Sequence, residues 1–145
     1  MSGPADPVKR MVAYLEAKDV ARAAPHIHDD FQFSGFGSDP LNKEQFLALM
    51  KHLFLAIPDW SYHPRELQAE GDAVRFKTKV TGTQTGMLTG LDPGMAPVAA
   101  SGKAILLPED QVECTLRDGR VATMKVASPP GGGIAGILSQ LGISK

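Results

Sequence analysis

Apolar residues recur at helical spacing in the first part of the chain and alternate with polar ones in the second. Val8, Met11, Val12 and Leu15 fall three and four residues apart. That spacing predicts a helix from about Pro7 to Ala17, with Asp6 as N-cap and Pro7 in the first turn. Asp19 is placed to cap a short second helix through Ala24, which Pro25 ends. Phe31 and Phe33 alternate with Gln32 and Ser34, predicting a short half-buried strand. Gly35, Gly37, Ser38, Asp39 and Pro40 break it. Asn42 and Gln45 have capping-box spacing. The helix they open carries Phe46, Leu49, Met50, Leu53, Phe54 and Ile57 on one face and stops at Pro58.

The rest is mostly strand: Trp60 to Ala69, Ala73 to Val80, Ala104 to Leu116 and Val121 to Ala127, with turns at Glu70-Gly71-Asp72 and Arg117-Asp118-Gly119. A closing segment holds a short amphipathic helix on Ile134, Ile137, Leu138 and Leu141. Helices followed by a strongly bent sheet predict an α+β fold with N-terminal helices packed on one sheet face. The sheet folds around them into a cone-shaped barrel, and the mouth of the cone is the natural pocket. In the last hairpin a three-residue loop pairs Leu116 with Arg120, so Val112 opposes Met124 and Cys114 opposes Ala122. Val112, Cys114, Ala122, Met124 and Val126 then share the apolar face. Glu113, Thr115, Thr123 and Lys125 share the polar one, with Val121 as its apolar exception. A two-residue loop would mix the two sets, so it is rejected.

Between two strands lies Thr81 to Gly94, with glycines at Gly82, Gly86, Gly90 and Gly94 and a proline at Pro93. Glycines this dense argue against strand structure, and a long excursion of this kind is often the rim of a binding site. The 145 residues make one domain, 1–145. With 43% hydrophobic and 21% charged residues the composition is that of a soluble globular protein. The net charge is -1, and the densest basic alternation, Arg75, Lys77 and Lys79, is a solvated strand face. This speaks against a nucleic-acid partner. Cys114 is the only cysteine, which excludes an internal disulfide and a cysteine-based zinc cluster. The start has no leader-like apolar run, and nothing approaches the about 18 apolar residues of a membrane span. A cytoplasmic protein with no membrane partner is expected, and no metal or cofactor is called for.

Candidate chemistry is sparse. His26, His28, Asp29 and Asp30 cluster in what the pattern places as the loop before the first strand. They offer a polar connection, a His–Asp acid/base dyad, or two of the ligands a metal needs. His52 lies on an apolar helix edge, and His63 follows Trp60 with Tyr62 beside it. Cys114 faces inward with nothing cationic near it, so a nucleophilic role is disfavoured. Phe31, Phe33, Trp60, Phe76, Cys114, Met124 and Val126 line the expected pocket, joined by His52 and Ser128.

Several motifs, in order, resemble the SnoaL-like polyketide cyclase family, part of the nuclear-transport-factor-like superfamily of cone barrels. They are Ile57-Pro58-Asp59 at a helix end, Glu70-Gly71-Asp72, the glycine-rich run from Gly82 to Gly94, and the tail Ile137-Leu138-Ser139-Gln140-Leu141-Gly142. The match runs from about Val8 to Ile143. The resemblance implies a homodimer through the outer sheet face, and the apolar lining of the expected pocket suits a hydrophobic or aromatic small-molecule ligand. It also marks departures. The family's glycine-rich motif carries a histidine where this chain has Gln84, which cannot shuttle protons near neutral pH. The cyclases use an aspartate late in the last strand, where this chain reads Ala127-Ser128-Pro129-Pro130-Gly131-Gly132-Gly133, without a carboxylate. The positions implied by the related ketosteroid isomerases hold Gly35, Met11 and Val112. Two functions stay open. One is a cyclase-like or isomerase-like enzyme using His28 or Asp30 as acid/base and Gln84 as polarising donor. The other is a non-catalytic ligand-binding or dimerisation domain.

Overall fold

The computed structural model of the protein describes residues 6–36, 40–89 and 96–142. Helix α1 (Asp6–Glu16) buries Val8, Met11, Val12 and Leu15, the face its spacing predicts. Asp19 caps α2 (Val20–Ala23), its side chain accepting from the Arg22 N–H, and a single 3₁₀ turn (Ala24–His26) leads on. Strand β1 (Ile27–Ser34) and the two-residue β2 (Leu41–Asn42) precede α3 (Lys43–Ala56). The capping box of α3 is complete. Asn42 Oδ1 accepts from Gln45 N at 2.8 Å, and Gln45 Oε1 accepts from Asn42 N at 2.9 Å. Then come β3 (Arg65–Glu70), β4 (Ala73–Thr78), β5 (Thr81–Thr83), β6 (Ala104–Leu106), β7 (Asp110–Arg117), β8 (Arg120–Ala127) and α4 (Gly133–Gln140).

Six strands form one curved sheet in the order β2-β1-β8-β7-β4-β3, and β5 pairs with β6 in a second small one. The large sheet is mixed, because β1 runs parallel to β8 while the other pairs are antiparallel. The α+β class with helices on one face of a curved mixed sheet is as predicted. Residues from α1, α3, α4 and the inner sheet face make a single core, including Met11, Leu15, Phe46, Leu53, Ile137, Phe76, Val112 and Cys114.

Several local predictions need correction. The residues His28, Asp29 and Asp30 lie inside β1, not in a loop before it. Their polarity hides the strand, and the parallel pairing with β8 is irregular between Ile27 and Gln32. The strand predicted from Trp60 starts only at Arg65. Pro64 has no N–H to give a ladder, and His63 before it has φ +46°. The long strand from Ala104 is broken by Pro108 into β6 and β7. Gly82, expected in a loop, lies in β5 opposite Ile105. A Cβ at Gly82 would come within 2.3 Å of Ile57 Cγ2, and one at Gly86 within 2.2 Å of the Leu55 carbonyl oxygen. These two glycines let the segment lie directly on the end of α3, where Gly86 N donates to Ala56 O at 3.0 Å. Gly90, Pro93 and Gly94, like Gly37, Ser38 and Asp39, lie outside the described residues.

The predicted hairpin register is also wrong. Arg117 pairs with Arg120 across a two-residue loop, with Asp118 at φ +54° and Gly119 at φ +72°. Both central residues are left-handed, as such a loop requires. A bulge at Ala122 then shifts the pairing by one residue, so Leu116 faces Val121 while Thr115 faces Thr123. Cys114 therefore opposes Met124, and Val112 opposes Val126. The bulge keeps apolar and polar sets unmixed, which the rejected loop alone would not do. Val121 thereby joins the buried side, fully covered.

Candidate functional site

Strand β7 opens on Asp110, which pairs with Thr78 of β4. On its other side Gln111 pairs with Ala127, which brings Asp110 beside Ser128, the residue just past β8. Alternation puts Asp110 on the inner face with Val112 and Cys114, and it is only 2% exposed. Its Oδ1 has no hydrogen-bond partner among the described residues, and neither has the buried Ser128 Oγ. Burial pushes the Asp110 carboxyl pKa up from the ordinary carboxylate value; the Ser128 hydroxyl, close by but outside hydrogen-bond geometry, pulls it down. An unsatisfied buried polar group costs about 1–3 kcal/mol, more when charged. A feature this unfavourable calls for an explanation.

Trp60 Nε1 is a further buried polar atom without a hydrogen-bond partner among the described residues. The indole stands edge-on to Phe36 and Tyr62, with ring centroids 6.5 and 5.9 Å apart. Tyr62 in turn donates its hydroxyl to Met50 Sδ at 3.0 Å. Burial, with Glu16 nearby, raises the Tyr62 phenol well above its usual range, so it remains a neutral donor. The chain from Trp60 is tied to the sheet next to Asp110, since Lys79 N, adjacent to Thr78, donates to Tyr62 O at 2.8 Å.

Phe31 and Phe33 pack on Phe46 at 5.1 and 4.8 Å, and Phe33 also meets Phe36 at 5.9 Å. With Phe76, Met124 and Trp60 they make an aromatic-rich interior. Cys114 is enclosed there, and burial with the Glu113 charge pushes its thiol up to about 12, so it holds its proton. Val126, half-buried, lies across the hairpin from Val112. His52, on α3, has Nδ1 3.1 Å from Thr89 Oγ1, at the start of the glycine-rich segment's undescribed part.

His28 and Asp30 do come together, at the other end of the sheet. Asp30 N donates to His28 Nδ1 at 3.0 Å, which leaves the ring proton on Nε2, 3.3 Å from Asp118 Oδ2. Asp30 lies 3.6 Å from the Arg117 guanidinium and is an exposed side chain. Gln84 belongs to neither group. It is fully buried, its Nε2 faces the carbonyls of Gly86, Val98 and Ala99, and its Oε1 accepts from Ser101 Oγ at 2.7 Å. Its amide clamps the two arms of the glycine-rich segment together.

The outer face of the sheet carries a trough of about 510 Å³, lined by Glu66, Gln68, Arg75, Lys77, Gln111, Glu113 and Lys125 together with Phe76, Val112, Val126 and Ala127. Its charges alternate and pair: Arg75 with Glu113 at 2.8 Å and Lys77 with Glu66 at 3.1 Å. Among the described residues no three His, Cys, Asp or Glu side chains are grouped to hold a metal. No helix there is long and apolar enough to cross a membrane.

Sequence reasoning missed Asp110 and named Ser128 without a partner. The signal was available. Asp110 is two residues before Val112, so strand alternation places it on the apolar face.

Comparison with solved structures places the fold. AclR from Streptomyces galilaeus, a candidate hydroxylase, matches with a TM-score of 0.74 and 21% identity, covering 96% of this chain and 80% of that one. A candidate SnoaL-like polyketide cyclase from Jannaschia sp. CCS1 matches with a TM-score of 0.74 and 18% identity, covering 98% and 93%. IdmH from Streptomyces antibioticus, a candidate polyketide cyclase, gives 0.71 and 19%, covering 98% and 100%. None of the curated proteins matches the sequence. The model of the SnoaL-like domain matches residues 8–124, most of the chain and all of its fold up to the middle of β8. The chain belongs to the SnoaL-like domain family.

Proposed function

We propose that this protein takes a hydrophobic or aromatic small molecule into the cone interior and acts on it by proton transfer, as a cyclase or isomerase does. One observation carries the reading. Trp60 Nε1, Asp110 Oδ1 and Ser128 Oγ are buried in an apolar, aromatic-walled interior without partners of their own. An apolar site with a few unsatisfied polar groups is the usual make-up of a small-molecule site; a ligand carbonyl would accept from Trp60 and Ser128, and a ligand O–H or acidic C–H would face the Asp110 oxygen. Family membership and neighbours named as polyketide cyclases support the same class. Native mass spectrometry of freshly purified protein tests it. A retained small molecule released on denaturation is the expected result. Ligand-free protein that also shows no thermal shift with a panel of aromatic ketones contradicts it.

A second reading, a binding domain without catalysis, is favoured by Gln84, whose amide is wholly engaged within its own loop. The outer trough supports a homodimer, because its alternating acids and bases suit a two-fold related copy of themselves. Light scattering that shows only the 15.4 kDa chain rejects the dimer. A single buried thiol fits a reducing cytoplasm.

A further inference from the structure

We propose that Asp110 is the acid/base residue of this domain, set across the β7–β8 hairpin at the place where the last strand itself offers only Ser128. This rests on the interior being a ligand site, as proposed above, and names the group that does chemistry there.

Four observations support the assignment. The pairing of Gln111 with Ala127 makes Asp110 and Ser128 neighbours, so a buried carboxyl and a hydroxyl stand side by side at the open end of the hairpin. Asp110 is enclosed on the inner face, and one of its oxygens has no partner among the described residues. Buried polar atoms are ordinarily hydrogen-bonded, so an orphan carboxylate oxygen calls for an explanation, and a ligand supplies one. Two other titratable groups of the interior are committed elsewhere. The Cys114 thiol keeps its proton, and Tyr62 gives its own to Met50. Desolvation also makes the Asp110 carboxylate a stronger base than a hydrated one.

The step is a reversible enolisation. Asp110 removes a proton from a carbon beside a ligand carbonyl. The C–H electron pair forms the C=C bond, and the carbonyl π pair moves onto oxygen, where the Ser128 hydroxyl donates to it. Return of the proton from Asp110 to carbon restores the ketone. In D2O the Asp110 acid exchanges with solvent, so the returned proton is a deuteron and no other reactant is required.

The probe is 2-tetralone, a bicyclic aromatic ketone with acidic C–H bonds. Trp60 is the sole tryptophan, so its fluorescence reports binding independently of exchange, which mass spectrometry follows. The wild-type protein is expected to quench and to exchange above buffer. Asp110→Asn is expected still to quench and, at saturating ketone, to lose about 100-fold or more of the exchange rate, the range of a general base. If Asn at this position does not fold, Asp110→Val, which leaves no polar atom to satisfy, takes its place. Quenching without wild-type exchange, or exchange that survives in the variant, overturns the assignment and leaves the binding reading standing. Neither quenching nor exchange overturns both.

Discussion

At the turn end of the β7–β8 hairpin, His28, Asp30, Arg117 and Asp118 sit together near the surface, and every one has a partner within 4.0 Å. At the open end Asp110 is buried and Ser128 half-buried, and each has a covered polar atom without a partner among the described residues. Both clusters combine a carboxylate with a hydrogen-bonding neighbour, and the sequence makes the first far more conspicuous. Water and mutual pairing satisfy the exposed group, so it needs no ligand to account for it. Exposed pairs of this kind contribute about 0–1 kcal/mol. The buried group is destabilising as it stands, which is what a site awaiting a ligand looks like.

The difference can be tested from its largest expected effect downward. Gly35 closes β1 near the open end, with φ +91°, and an added Cβ would lie 1.9 Å from the Val126 carbonyl oxygen. Gly35→Ala should lose about 3 kcal/mol in urea unfolding, because strain and a backbone collision act together. Gly119→Ala at the turn end has the same left-handed strain at φ +72° but nothing within 4 Å, and should lose only about 1 kcal/mol. Equal losses would show that the collision with Val126 adds nothing to the left-handed strain.

Next in size is the pH dependence of stability. Burial holds the folded-state pKa of Asp110 above its unfolded value of about 3.9. The folded protein therefore binds that proton more tightly than the unfolded chain. The stabilisation is full below the unfolded value and is lost as pH rises through the folded one. Asp110→Asn should flatten this decline and leave the variant about 1 kcal/mol more stable than wild type once the carboxyl is ionised. Denaturant midpoints over that pH range decide it, and a variant less stable at every pH contradicts it. The smallest effect belongs to the surface cluster. His28→Asn should change stability by about 0.5 kcal/mol or less in the same measurement.

Local signals explain what was legible in the sequence. The capping box at Asn42 and Gln45 and the apolar face of α3 are written within a few residues, so that helix could be read directly. The start of β1 could not, because a parallel neighbour can hold a strand whose exposed residues are all polar. Face assignment in the last hairpin survived a wrong register. Composition fixes the faces, whereas the bulge at Ala122 leaves no mark in an alternating pattern. Asp110 was concealed by the assumption that a catalytic carboxylate must lie on the last strand. Cross-strand neighbours 18 residues apart along the chain appear only when the register is known.

Titration of the side-chain carboxyl carbons by NMR, with Asp110 assigned through Asp110→Asn, tests the central claim most directly. The account predicts that Asp110 titrates above the ordinary aspartate value of about 3.9. Titration at or below that value would show a carboxylate already satisfied by water or by a partner, and the interior of the cone would lose its candidate for chemistry.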